Sequence, residues 1–250
     1  MDDLKAFLEE KVNEFEQTSF IESDPISIPH RYDRLQDIEI SGLLVATIAW
    51  GRRDLIIRSG NRLMEIMEDS PFDFVMNPEN DDHPDVLNFK HRTFNGEDLR
   101  FFLKSLRSIY QKHDSLETLF NVGNNIGEGI TNFRSHFFAE IEKSRTFKHV
   151  SDPSNGSAAK RLCMYTRWMV RSANRNVDFG LWKSIPSSAL MCPLDVHSGN
   201  VARALGILHR KQNDWKAVVE LTNALKKLDK SDPVKYDFAL FGLGVFEGFK

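Results

Sequence analysis

Cysteine is nearly absent from this chain. Cys163 and Cys192 are the only two, far apart and outside any C-x-x-C pair, which excludes a disulfide framework, a thiolate zinc site and a four-cysteine iron–sulfur cluster. Long hydrophobic runs are missing as well: no stretch approaches the roughly 20 apolar residues that span a bilayer. The opening MDDLKAFLEE is acidic where a signal peptide is basic and then apolar, so a cytoplasmic protein without membrane attachment is expected. Internal repeats, low-complexity linkers and convincing alternating strand patterns are also lacking. What remains is 250 residues, 41% hydrophobic and 28% charged, an ordinary globular composition with enough chain for one large helical domain or two small ones around a shared core.

Helical periodicity fills most of the chain. Leu4, Phe7, Leu8, Val12 and Phe15 form one stripe over residues 2 to 17, and Leu99, Phe102, Leu103, Leu106 and Ile109 form another over 97 to 110. Residues 40 to 49 are so apolar that they predict a buried central helix, broken at Trp50-Gly51 or continuing toward Ile66. Further helices are predicted over 116 to 121, 126 to 143, 158 to 172, 196 to 208, 214 to 228 and 234 to 245. Segments rich in Gly, Pro and Asn, such as SDPSNGS at 151 to 157, separate them. The expected fold is all-α, a single two-lobed helical domain over 1–250. Residues 38–143 mainly make the first lobe and 144–250 the second, with 1–37 packing on the latter.

The formal net charge of -3 argues against a protein that coats nucleic acid indiscriminately. Local charge is different. From Lys160 to Arg175 the text KRLCMYTRWMVRSANR holds Lys160, Arg161, Arg167, Arg171 and Arg175 and no acid, and a second basic knot, HRK, lies at 209 to 211. Such a face fits a phosphate backbone, or it is a solvated helix face. Downstream, CPLDVHSGNVARALGI turns into a helix just behind Asp195, with Val201, Ala202 and Leu205 on one side. An aspartate there is a favoured N-cap, and it is also a fixed carboxylate at the edge of a basic segment.

The segment Leu194-Asp195-Val196-His197 followed by Val201-Ala202-Arg203, set between the basic helix and a last helix ending FALFGLGV, resembles the helix-hairpin-helix DNA glycosylase superfamily. That superfamily includes endonuclease III and the 8-oxoguanine glycosylases. Together with HRTFNGEDL at 91 to 99 and DFGLWKSIP at 178 to 186, the chain looks like a bacterial branch of it, over roughly residues 38 to 245. The superfamily hairpin reads Leu-Pro-Gly-x-Gly, whose glycines let two backbone amides point at one DNA phosphate. Here that slot reads SDPSNGSAAKRL with a single glycine, a degenerate hairpin with an amide nest expected at Asn155, Gly156 and Ser157. Lys160 and Asp195 are 35 positions apart, a spacing longer than in endonuclease III and closer to the archaeal 8-oxoguanine glycosylases.

The resemblance implies a DNA repair glycosylase, with AP lyase activity, that flips and excises an oxidised base such as 8-oxoguanine from duplex DNA. Breaking an N-glycosidic bond builds positive charge on the sugar, which a preorganised carboxylate at Asp195 stabilises. Lys160 takes the place of the lysine that attacks the sugar carbon and forms a Schiff base. A helix N-terminus and the neighbouring Arg161 both favour its neutral amine. Otherwise it is a phosphate-binding or solvated lysine. Trp50 is expected at the gap left by the flipped base, with Arg52, Arg53, Arg161 and Arg171 along the phosphates. Trp168, Phe179 and Trp182 are expected to stack on the base, unless they are core aromatics. His197 reads as a hydrogen-bonded supporting residue. Neither a metal nor a cofactor is implied. The partner is damaged double-stranded DNA, and the protein is expected to act as a monomer.

Two other readings compete. A non-catalytic helix-hairpin-helix DNA-binding protein would keep the basic face without needing Lys160 and Asp195 together. A metal-dependent phosphohydrolase would use His113-Asp114 and the cluster DDH at 81 to 83, which lack a recognisable ligand spacing.

Overall fold

The computed structural model describes residues 2–139 and 144–249, which are predominantly helical. Among them no helix is long and apolar enough to cross a membrane. The helices fall close to where the periodicity put them, with Gly96–Tyr110, Lys160–Val170, Trp215–Lys226 and Tyr236–Val245 as examples. The predicted 126 to 143 helix is observed as Ile126–Phe137, and residues 140–143 lie outside the described residues. One short antiparallel hairpin, Lys90–His91 with Phe94–Asn95, was not foreseen, because two residues per strand are too few to show an alternation.

The chain divides into two compact units. The first is Met1–Phe20, Asn121–Thr131 and Asp152–Lys250, and the second is Ile21–Phe120 and Asn132–Ser151. In the second unit the Leu35–Ile48 helix is buried on every face from Ile38 to Ile48, as a helix apolar all round must be. Glu39, fully buried within it, accepts hydrogen bonds from the Tyr110 hydroxyl at 2.9 Å, the Ser115 hydroxyl at 2.5 Å and the Leu116 amide at 3.2 Å. The chain breaks at 49–52 and re-enters a helix at Arg53–Ile66. Gly51 makes that break possible with φ 105°, and a Cβ there would fall 2.2 Å from the Arg92 guanidinium, which bonds the Trp50 carbonyl at 3.1 Å.

The first unit is built on the Tyr236–Val245 helix, whose Phe238, Ala239, Leu240 and Leu243 are all buried. The ring of Phe15 lies so close to Gly242 that a Cβ there would approach it to 2.2 Å. Val201 and Ala202 and the face Ala217, Val218, Leu221 and Leu225 complete an apolar centre.

Inside this unit the acid-free basic helix meets its counter-charges. Arg167 bonds Asp237 at 2.5 Å and Asp178 at 3.3 Å. Arg171 reaches Asp178 at 2.6 Å, Glu16 at 2.7 Å and, with two nitrogens, Asp232 at 3.0 and 2.9 Å. Both guanidinium groups also lie over the Phe238 ring, at 4.2 and 5.4 Å. Arg171 is therefore not on a phosphate track, contrary to the expectation from charge density. It is a buried cation held by three carboxylates from other parts of the chain.

Removing such a partner leaves several charges buried without compensation. Arg171→Gln is expected to lower stability by about 3–5 kcal/mol, whereas the same change at exposed Arg52 stays within about 0.5 kcal/mol; denaturant unfolding of both variants checks this. In the second unit, buried His91 bonds the Ser59 hydroxyl at 2.8 Å. Burial lowers its pKa, assisted by the charge of Arg92 and opposed by the backbone carbonyls of Trp50 and Ile48. An unfolded histidine takes a proton near pH 6.5, so protonation favours unfolding. The stability His91 contributes is complete above that pH and declines as the pH falls toward the lowered value. His91→Gln should flatten the loss of melting temperature between pH 7.5 and pH 5, measured against the parent protein.

Candidate functional site

Asp195 stands at a defined junction. Pro193 and Leu194 are buried before it, and the Cys192 amide is tied to the Thr222 hydroxyl at 3.0 Å. Asp195 itself is extended, and the Val196–Ala204 helix follows. Its Oδ1 accepts the Ser198 amide at 2.9 Å while the Ser198 hydroxyl accepts the Asp195 amide at 3.0 Å, a reciprocal capping box. The Asn213 side chain holds its carbonyl at 3.0 Å. Capping thus occupies one carboxylate oxygen. The other, Oδ2, lies 3.2 Å from Lys160 Nζ.

Lys160 opens the Lys160–Val170 helix behind Ala159, a buried residue in the left-handed conformation at φ 45°, ψ 32°. That conformation costs a non-glycine residue about 1–2 kcal/mol and persists only where surrounding structure enforces it. Here the Ser157 hydroxyl accepts the Ala159 amide at 3.2 Å, and the Ala159 carbonyl accepts the first helical bond, from Cys163, at 2.9 Å. The kink turns the chain directly into the helix with Lys160 at its first position.

Lys160, Arg167 and Arg171 are related by i, i+7 and i+11 and share one stripe of this helix. Each meets carboxylate, but exposure changes along the stripe. The side chains of the Arg167–Asp178 pair are 5% and 0% exposed, whereas those of Lys160 and Asp195 are 33% and 18% exposed. The Lys160–Asp195 pair is the end of the row that solvent and a ligand can reach. Burial works to raise the Asp195 pKa, but the Lys160 charge and the hydrogen bonds from Ser198 outweigh it, and the carboxyl sits below its usual range. It is an anion at neutral pH. Buried Asp237, nearby, is pushed up to about 6 by desolvation, against the pull of Arg167 and with the Asp195 charge adding to the rise.

Several residues singled out in the sequence are placed elsewhere. The Asn155, Gly156 and Ser157 amides do not form an open nest: they donate to the Asp152 carbonyl at 3.2 Å, the Pro153 carbonyl at 2.9 Å and the Asp152 carbonyl at 3.2 Å. Asp152 also caps Ser154, at 2.9 Å, so the segment folds onto its own acid. Trp168 and Trp182 are fully buried, and Trp182 stands edge-on to Tyr165 with centroids 5.4 Å apart; they are core residues and not base stackers. Phe179 and Arg161 are half-buried, and burial lowers the Arg161 pKa. His197 is exposed, and among the described residues its ring makes no hydrogen bond, so the supporting bond expected of it is not made. Its Cβ instead packs where a Cβ on Gly244 would come within 3.0 Å.

Trp50, Arg52 and Arg53 belong to the second unit. Trp50 is half-buried, stacked on His149 at 6.0 Å and edge-on to His91 at 5.4 Å. Arg52 pairs with Asp54 at 2.6 Å on the surface. The acids of the phosphohydrolase reading do not converge: Asp81 is paired with Arg107 at 2.5 Å and Asp82 with Arg100 at 2.7 Å, while His113 bonds Thr118 at 3.1 Å. Among the described residues no three His, Cys, Asp or Glu side chains are grouped to hold a metal. Both cysteines are buried, which pushes their thiols well up and leaves them unreactive.

Sequence reasoning missed Ser198, Asn213 and Asp237. The Asp-x-x-Ser spacing signals the first as the partner of a cap. Asp237 is the one acid in the run YDFALFGLGV, and an acid inside an apolar helix calls for a buried partner. Asn213 carries no such signal. No curated protein and no solved structure matches the chain. Residues 24–246 match the family described as Protein of unknown function (DUF2400), a span that includes Trp50, Lys160 and Asp195, and the chain belongs to that family.

Proposed function

We propose that the protein is a DNA glycosylase with AP lyase activity that removes an oxidised base, such as 8-oxoguanine, from duplex DNA. The observation that supports this most directly is the 3.2 Å contact between Lys160 Nζ and the uncapped oxygen of Asp195. A nucleophile and a carboxylate within reach of one another are what displacement at an anomeric carbon requires. In this reading the two units are the lobes of the glycosylase fold, and the 152–160 segment is its degenerate hairpin.

The chemistry follows from the pair. Lys160 passes a proton to Asp195, and its neutral amine attacks C1′ of the flipped nucleotide. The N-glycosidic bond breaks as the Nζ–C1′ bond forms, and the base leaves with its bonding electrons and takes up a proton. Asp195 supplies that proton, and the carboxylate so restored offsets the positive charge on the sugar as the bond breaks. Ring opening of the resulting N,O-acetal gives a Schiff base, and loss of a C2′ proton then expels the 3′ phosphate by β-elimination. With Trp168 and Trp182 buried, recognition of the base falls to groups on the exposed side of Asp195, where Val196 is 64% exposed.

Borohydride trapping on a panel of damaged duplexes tests the reading. The parent protein is expected to form a covalent adduct with a lesion duplex and none with undamaged DNA. Lys160→Gln should abolish the adduct with DNA binding nearly intact. Asp195→Asn should slow base release by about 10²–10³ and cost about 1 kcal/mol or less in stability, since the amide still caps. Binding without base release or adduct would replace the enzyme by a helix-hairpin-helix DNA-binding protein. Asp195→Asn releasing base at full rate would reduce the aspartate to a cap.

A further inference from the structure

The hairpin has no open amides at Asn155, Gly156 and Ser157, yet an enzyme that flips a nucleotide must hold the strand beside it. The 203–216 segment is placed to do this. It is locked to both sides of the candidate site: the Trp215 amide donates to the Gly156 carbonyl at 2.9 Å, Asp214 bridges Ser157 in antiparallel fashion, and Asn213 holds the Asp195 carbonyl. Arg203 stiffens the loop from within, bonding the Arg210 carbonyl at 2.9 Å and the Asn213 side chain at 2.6 Å. Charges carried by this loop are therefore fixed relative to Lys160 and Asp195.

The loop is basic after internal pairing. Arg203, Arg210, Lys211 and Lys216 face two carboxylates, Asp214 and Glu220, in a chain whose net charge is -3. Asp214 is taken by Arg210, at 2.6 Å from its Nε, and Glu220 accepts the His209 amide at 2.6 Å. Arg203 bonds only neutral oxygens there, and among the described residues exposed Lys211 and Lys216 have no acidic partner. His209, Arg210, Lys211, Gln212, Lys216 and Glu220 line an open hollow of about 650 Å³. From this, and resting on the glycosylase reading above, we infer that the 209–216 hollow is the phosphate grip of the protein. It takes phosphodiester groups of the strand carrying the flipped nucleotide on Lys211 and Lys216, in place of the glycine hairpin.

The test compares two charge-matched double variants of the full chain on a lesion duplex between 50 and 200 mM salt. Lys211→Gln with Lys216→Gln should weaken binding about tenfold or more, and should flatten the slope of log affinity against log salt by about two units, near 0.9 for each lost phosphate contact. Lys227→Gln with Lys230→Gln removes the same net charge beyond the far end of the same helix, and should leave the slope within about half a unit of the parent. Both pairs are exposed, and unchanged melting temperatures confirm that folding is not involved. A parent that traps the borohydride adduct while the 211/216 variant keeps its affinity and slope overturns this inference and leaves the glycosylase reading standing. Equal losses in both variants also overturn it, because net charge alone would then explain them. A parent that binds no DNA removes both.

Discussion

The pairing of Arg167 and Arg171 with Asp178, Asp237, Glu16 and Asp232 is the constraint on which the first unit depends. Placing cations in an apolar centre is expensive unless geometry and hydrogen bonding are close to complete, and here each guanidinium is met by more than one carboxylate. The arrangement has a directional consequence that apolar packing lacks. A greasy helix face tolerates rotation by a fraction of a turn, whereas two forked cations one turn apart accept one orientation. With the helix so fixed, its first residue, Lys160, comes to Asp195 without any contact of its own needing to be strong.

Much of the fold was legible in the sequence because it rests on period. The apolar run at 40 to 49 and the stripe at 97 to 110 lie in buried helices whose ends agree with the pattern to within a few residues. The pairing of the basic helix was not legible, since Glu16 stands 155 positions before Arg171 and no local rule connects them. A run without acids looks like a surface for polyanions until the counter-charges arrive from elsewhere in the chain. The tryptophans were misread for a related reason: type and spacing say that a ring is present, and burial is decided by the assembled unit. The closure of the 152–157 segment is written in Asp152-Pro153-Ser154-Asn155, a self-capping pattern that draws nearby amides inward.

The candidate site shows how one aspartate caps a helix and pairs with a lysine at the same time. Ser198 uses one oxygen and fixes the plane of the carboxylate, which orients the other toward Lys160. A free aspartate side chain would lose that orientation through rotation about its own bonds. Strain at Ala159 acts on the opposite partner in the same way, setting the direction in which Lys160 leaves the backbone.

The contact of Phe15 with Gly242 joins the two ends of the described chain within one unit. During synthesis the Asp2–Phe15 helix leaves the ribosome long before the helix it packs against exists, and its apolar face has no native partner until Tyr236–Val245 has been made. Closing so large a loop is among the slower steps available to a chain of this size. The apolar centre of the unit that holds Lys160 and Asp195 therefore closes only when both helices are present. Until then the chain carries an amphipathic helix whose apolar face, Leu8 and Val12 among it, is open to other chains.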